Sequence, residues 1–369
     1  MTEPPVPSWA APPSPTDAHP GPGVRPGRLG VGIISAGRVG AVLGSALRAV
    51  DHQVIGVHAV SETSRDRAEV LLPGVPLLSV EQIVERSELV LLAVPDDALA
   101  PLVTGLADLG RWQHGQLVAH TSGRYGSGVL DPARHAGAIP LAIHPAMTFS
   151  GTSMDLPRLV GCPMAVTAPA AVLPIAQALA VELGGEPFVL DDDARPGYHA
   201  ALAHGANHLL TVVTQAMRVL TAVGVDQPGA TLRPLLTAAL DRALREGEAG
   251  LTGPVSRGDA GTVAAHLAEL DRLALRHPPS DSGDGAAAAA ATAACTAGGP
   301  APVPARGAGA GPAPDDLEDV AATYRVLAAA TAARCQARGV LDAAQAAALA
   351  QVLGEATDRD LPRRRPEEG

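Results

Sequence analysis

The sequence contains no lysine: all 27 of its basic residues are arginine, set against 38 aspartates and glutamates. No lysine can therefore act as general acid, general base or Schiff-base former anywhere in the chain. Aromatic residues are almost as scarce, with 2 Trp, 3 Tyr and 2 Phe, and the formal net charge is -11. A nucleic-acid surface wants basic grooves and stacking platforms, so both shortages point to a small-molecule partner instead. The 3 cysteines (Cys162, Cys295 and Cys335) show no metal-like spacing and make no even disulfide set, which fits a reducing cytoplasm. No apolar run approaches the roughly 20 residues that cross a bilayer, so no membrane partner is expected.

The chain does have the apolar content for a sizeable core, at 47% of 369 residues, which is enough for two domains. Residues 1–27 are rich in proline and lack both a basic start and an apolar segment; they read as a disordered tail, not a signal peptide. From 28 to 193, short apolar β-branched runs alternate with helical patterns. From 194 to 356 the period becomes that of long alanine- and leucine-rich helices, interrupted at 277–314 by a low-complexity insertion of Ala, Gly, Pro and Ser and followed by a tail, 357–369. The expected fold is α/β, a Rossmann-like doubly wound sheet, followed by an all-helical second domain.

The stretch Leu29–Gly44 reads as strand, tight turn and helix start. Its small residues suit a pyrophosphate held by backbone N–H groups at a helix N-terminus. In the register of the G-x-G-x-x-G fingerprint, Ser35 stands at the first glycine position, and Gly37 and Gly40 occupy the second and third. Serine can make that turn if its dihedrals stay ordinary. Ser35, Ala36, Gly37, Arg38, Val39 and Gly40 are thus candidate cofactor-binding residues. A bare glycine-rich turn without a nucleotide is the alternative.

The end of the second strand discriminates between cofactors. NAD calls for a carboxylate on the ribose diol, and NADP for cationic or hydroxyl partners to the extra phosphate. Ser61, Ser64 and Arg65 favour NADP, with Arg65 the foremost candidate, while Glu62 keeps NAD open. A third strand stops at Val94 and Pro95, placing both at the carboxyl edge where ligands bind.

Two further strands deliver His120-Thr121-Ser122-Gly123 and His144-Pro145-Ala146-Met147-Thr148-Phe149 to that same edge. Either histidine could be a loop cap; together they make ligand contact by one of them the better reading. On the first long helix, His199, Ala203 and Asn207 fall within about an 80° arc at an ordinary helical spacing. His204 and His208 pair at i, i+4, but they lack a third ligand, so no metal site is expected. Arg257, in Leu251-Thr252-Gly253-Pro254-Val255-Ser256-Arg257-Gly258-Asp259, could anchor a substrate carboxylate or phosphate through its guanidinium fork.

In their order these motifs resemble a family of bacterial oxidoreductases. Its members join a Rossmann-like domain to a helical C-terminal domain of unknown function, related to those of 6-phosphogluconate dehydrogenases, ketopantoate reductases and pyrroline-carboxylate reductases. The matching residues are Gly32–Gly40, Ala93–Asp96, His120–Gly123, His144–Phe149, Tyr198–Ala201 with Asn207, and Leu251–Asp259. The resemblance implies NADP-dependent reduction of a small anionic oxo or imino acid in the cleft between domains, ketopantoate-type reduction being the specific case, and a homodimer formed by the helical domain. It also implies that a serine placed like Ser122 holds substrate and that Asn207 is the asparagine of a Lys-x-x-x-Asn pair. The lysine position is Ala203, so that acid/base chemistry does not carry over. Either His199 or His204 then supplies the proton, or a protonated imine takes hydride with no side-chain acid; the candidate catalytic set is His199 as acid, Ser122, His144 and Asn207 to orient substrate, and Arg257 for its anion. A non-catalytic NADP-binding sensor or scaffold is the rival reading, favoured by Ala203.

Overall fold

The computed structural model describes residues 28–276 and 317–354. The tails and the low-complexity insertion named above lie outside the described residues. Two compact units separate, Met1–Ala200 and Ala201–Gly369.

The first unit alternates strand and helix. Its elements are β1 (Gly30–Ile34), α1 (Arg38–Ala49), β2 (Gln53–His58), α2 (Glu62–Leu71), α3 (Val80–Arg86), β3 (Leu89–Leu92), α4 (Asp96–Asp108), β4 (Leu117–His120), α5 (Asp131–His135), β5 (Ile139–Pro145), α6 (Leu156–Leu159), β6 (Pro163–Thr167), α7 (Leu173–Glu182), β7 (Glu186–Val189) and α8 (Arg195–Leu202), whose last turn passes into the second unit. The strands form one sheet in the order β2-β1-β3-β4-β5-β6-β7. All neighbours run parallel except β5 and β6, which are antiparallel.

Strands β1, β3 and β4 are buried along their whole length, as continuous apolar runs are when helices cover both faces. Alternation divides β1 between two cores. Val31 and Ile33 pack with Val42, Leu43 and Leu47 of α1 and Leu179 of α7. Ile34 faces the opposite layer with Ile83 of α3, Leu99, Val103 and Leu106 of α4, and Trp112. Each such side chain adds roughly 1.5–3 kcal/mol when fully buried. Helix starts are specified locally: a Ser79–Gln82 capping box opens α3, and Asp96 and Asp97 in the first turn of α4 oppose its dipole. The switch of connection direction on either side of β1 creates the crevice at the carboxyl edge where doubly wound sheets take ligands.

The second unit is helical: a π-type turn at Ala203–Asn207, then α9 (His208–Ala222), α10 (Pro228–Glu246), α11 (Ala260–Arg276) and the helices Glu318–Ala337 and Ala343–Gly354. Its main core is Val255, Val263, Leu267, Ala328, Cys335, Leu341, Leu349 and Leu353. Among the described residues, no helix is long and apolar enough to cross a membrane.

Candidate active site

Between β1 and α1 only Ser35, Ala36 and Gly37 turn the chain. Ser35 has φ 83, so the serine adopts the left-handed conformation that glycine ordinarily supplies, at a cost of about 1 kcal/mol or more. This corrects the expectation of ordinary dihedrals at that position. The N–H groups of Ser35 and Ala36 both donate to the His58 carbonyl, at 3.2 and 3.0 Å, and this tie to the end of β2 holds the turn. Gly37 is the N-cap of α1, with no side-chain cap and no acidic residue in the first turn, which leaves the dipole and the first N–H groups of α1 to an anion. A Cβ on Gly40 would lie 2.1 Å from the Ser35 carbonyl oxygen and 2.9 Å from Ala93 Cβ. The loop can approach its helix only because that side chain is missing. A cradle of this kind fits a pyrophosphate.

At the end of β2, Ser61 caps α2. Its Oγ accepts from the Ser64 N–H at 3.2 Å, while Ser64 Oγ donates to the Ser61 carbonyl at 2.8 Å. Arg65 is exposed and its Nε donates to the Ala59 carbonyl at 3.4 Å. Arg67, which the sequence reading passed over, reaches further in, with Nη1 donating to the Ala36 carbonyl at 3.3 Å. Burial, and then the charge of Arg38, lower the pKa of the Arg67 guanidinium. Two like charges brought together beside the glycine loop favour an anion between them. Val94 and Pro95 follow β3 on the other side of β1, and Pro95 is the N-cap of α4.

The second cluster forms where β4 and β5 end. His120 is fully buried. Its Nδ1 accepts from the Ser122 N–H at 3.2 Å and its Nε2 bonds the Gly126 carbonyl at 2.9 Å, so its neutral tautomer carries the proton on Nε2. Burial lowers its pKa to about 4, and it clamps the following loop as a neutral ring. Ser122 Oγ accepts from the N–H groups of Arg124 and Tyr125, both at 3.2 Å, and its own O–H stays available as a donor. His144 Nδ1 is 2.9 Å from the Tyr198 hydroxyl. Burial first, then Arg195 and His199, lower the His144 pKa to about 4. A Cβ on Gly123 would lie 2.9 Å from both His144 Nε2 and His199 Cδ2. The floor between the two imidazoles is therefore open only to glycine.

Beneath this cluster lies Arg195, which is 0% exposed. Its guanidinium donates to Thr167 Oγ1 at 2.8 Å, to the Ser122 carbonyl at 2.9 Å, and to the carbonyls of Ala142 and Ala165 at 3.0 Å. All four acceptors are neutral. Burial brings its pKa down to about 10, so the group stays charged at neutral pH and puts a fixed positive potential under Ser122 and His144.

Residues 12–145 match the family described as Rossmann-like domain, and residues 162–279 match a domain of unknown function, DUF2520. The chain joins a Rossmann-like domain to a DUF2520 domain. Among solved structures, a provisionally assigned NADP oxidoreductase from Bacteroides fragilis is 20% identical with a TM-score of 0.56, covering 66% of this chain and 91% of its own. An imine reductase from Pseudomonas sp. is 19% identical with a TM-score of 0.49, covering 74% and 95%. A protein from Thermotoga maritima is 21% identical with a TM-score of 0.47, covering 66% and 90%. At 20% identity the likeness to the Bacteroides fragilis chain is one of fold. No curated protein matches the sequence.

Of the expected catalytic residues, Ser122, His144 and His199 come together around Gly123 in the first unit. The DUF2520 match begins at β6 and runs through Arg195 and Tyr198, two residues of the cluster that the sequence reading did not single out as site residues. Asn207 and Arg257 belong to the second unit and are exposed. Asn207 ends the π-type turn at Ala203–Asn207, so the even step of about 100° per residue expected there does not apply. The exposed pair His204 and His208 has its Nδ1 atoms 2.9 Å apart. Among the described residues no group of three or more His, Cys, Asp or Glu converges as metal ligands would.

Proposed function

We propose that the chain is an NADP-dependent reductase acting on a small anionic oxo or imino compound at the carboxyl edge of its sheet. The observation that carries this reading is the pairing of two features on that edge. One is a glycine cradle at the start of α1; the other is a polar cluster of Ser122, His144, Tyr198 and His199 over the buried charge of Arg195. β4 and β5 lie two and three strands from β1, about 10 and 14 Å at the ordinary strand spacing.

In this reading the first turn of α1 (Gly37, Arg38, Val39, Gly40), with Ser35 and Ala36, holds the pyrophosphate. Ser61, Ser64 and Arg65 take the 2′-phosphate, and Val94 and Pro95 border the cofactor at the end of β3. The bound dinucleotide supplies hydride. Ser122 uses its remaining O–H, and His144 its ring N–H, to orient the substrate oxygen or nitrogen. Arg195 does not touch substrate. Its charge, held by neutral oxygens in a dry setting, stabilises negative charge that develops above it. Asn207 and Arg257 stay candidates for orienting substrate and binding its anion. The fold-level likeness to a chain named as an NADP oxidoreductase agrees with the reading without carrying it.

The test is a thermal-shift titration with NADPH and NADH, followed by NADPH oxidation against a panel of 2-oxo acids and cyclic imino acids. At about a hundredfold excess over its dissociation constant a ligand adds about 2.7 kcal/mol of stability, a readily measured rise in melting temperature. Absence of any NADPH shift would sink the proposal. Tight binding with no turnover would instead support the non-catalytic sensor, the reading for which Ala203 speaks.

A further inference from the structure

We infer that Tyr198 and His144 form a proton relay, in which His144 Nε2–H is the acid that protonates the substrate oxygen and the Tyr198 hydroxyl resupplies it across Nδ1. The inference rests on the reductase reading and deepens it by naming the proton source in a chain without lysine. Three observations support it. His144 Nδ1 and the Tyr198 hydroxyl are 2.9 Å apart, a hydrogen bond between two partly buried groups. An imidazole nitrogen is a much stronger base than a phenol oxygen, so the pair orders as O–H···Nδ1 and leaves the ring proton on Nε2. That nitrogen lies 2.9 Å from the position a Cβ would take on Gly123, on the side of the ring away from Tyr198.

The third observation is the placement of Arg195, a buried cation bound only to neutral oxygens and sharing a helix with Tyr198. A tyrosine that gives up its proton leaves a phenolate, and a partly buried phenolate is stabilised by a fixed positive charge nearby. Burial raises the Tyr198 pKa, Arg195 lowers it and Cys162 raises it again. The phenol therefore keeps its proton at rest, with a cation in place for the moment it does not. Arg195 and His199 are the charged and titratable neighbours that lower the pKa of His144, and Phe188 covers the Tyr198 ring at 6.0 Å.

The step balances as follows. As the carbonyl carbon gains hydride from the reduced dinucleotide, the C=O π pair moves to oxygen, which bonds the proton leaving His144 Nε2. Nδ1 bonds the proton leaving the Tyr198 hydroxyl, so His144 stays neutral in the opposite tautomer. The phenolate beside Arg195 then takes back the proton from Nδ1 while Nε2 gains one from water, which restores the O–H···Nδ1 pair and the Nε2–H form. Neutral histidine as a donor suits a ring whose imidazolium is disfavoured.

The experiment uses the full chain, ¹⁵N-labelled on histidine, with Tyr198→Phe as the central variant and His144→Gln to assign the signal. In the wild type, His144 is expected as a fixed Nε2–H tautomer, and in Tyr198→Phe as a mixture. Because the chain has 3 tyrosines, the ultraviolet difference between wild type and Tyr198→Phe isolates the Tyr198 titration, and Arg195→Met is expected to move it upward. The NADPH thermal shift of Tyr198→Phe should equal that of wild type, while 2-oxo acid turnover falls by about 100-fold or more, the usual share of a positioned acid. An Nδ1–H tautomer in the wild type overturns the relay, as does Tyr198→Phe turnover within twofold of wild type. A wild type that NADPH does not stabilise overturns the cofactor reading separately, and the tautomer still decides the relay.

Discussion

Arg195 is the residue on which the candidate site depends most. Two effects compete when it is replaced. Removing a buried charge recovers a desolvation penalty, and buried ion pairs can for that reason often be exchanged for apolar side chains at little loss. Here there is no carboxylate to remove with it. The partners are Thr167 Oγ1 and the carbonyls of Ser122, Ala142 and Ala165, and each oxygen left without a donor costs about 1–3 kcal/mol. The orphaned acceptors outweigh the recovered desolvation, so Arg195→Met should lose about 3 kcal/mol or more of unfolding free energy in denaturant melts. It should also raise the His144 pKa, because Arg195 is one of the charges that lower it. Arg195→Met with unchanged stability would mean that the loop after β4 and the strands β5 and β6 do not rely on this guanidinium.

At the scale of elements, two arginines on α2 should make separable contributions to the proposed cofactor site. Arg65 bonds the Ala59 carbonyl beyond the end of β2, where a 2′-phosphate is expected, and Arg67 bonds the Ala36 carbonyl in the glycine loop. Arg65→Ala should weaken NADPH tenfold or so, a charge-assisted hydrogen bond being worth about 1.5–3 kcal/mol, and leave NADH unaffected. Arg67→Ala should weaken both. Calorimetric titration of the two variants with the two dinucleotides checks this, and equal losses for Arg65→Ala would move the 2′-phosphate elsewhere. The sequence made Arg65 legible because it follows a strand end, a local signal. Arg67 was not legible, since its contact spans 31 positions and no local period encodes it. The same holds for Arg195, whose bond to the Ser122 carbonyl spans 73; following Asp191, Asp192 and Asp193, it reads as one more surface charge. The apolar run Gly30–Ile34 and the histidines closing β4 and β5 were legible, because burial imposes composition and a strand end imposes position. The antiparallel direction of β6 was not, as an apolar strand reads alike either way. At Ser35 the residue type pointed away from the backbone that two hydrogen bonds to His58 impose.

For the whole molecule the buried histidines dictate a pH dependence. His120 is held neutral, with Nδ1 accepting from Ser122 and Nε2–H donating to Gly126. Protonation would set a second N–H against the Ser122 N–H. Its pKa falls from 6.5 to about 4 through burial, so between those values the unfolded chain binds a proton that the folded chain refuses. Stability is then fully present above pH 6.5 and is lost as pH falls toward 4. At roughly 1.4 kcal/mol per pH unit the loss from His120 alone is about 3 kcal/mol, and His144, lowered to about 4 by burial, Arg195 and His199, acts in the same direction. Net charge works the other way: at a formal -11 and a pI near 5.5, mild acid relieves self-repulsion. That term is spread over exposed, screened charges and should be the smaller. Both histidines lie in the unit ending at Ala200. If the two units melt separately, the acid sensitivity therefore belongs to the transition of the Rossmann-like unit. Denaturant melts from pH 7 to 4 should show a steady fall, and His120→Gln, whose amide can keep the bond to the Gly126 carbonyl without titrating, should flatten it. A stability that holds level or rises from pH 6.5 to 4.5 in the wild type would mean that His120 is not buried as a neutral ring.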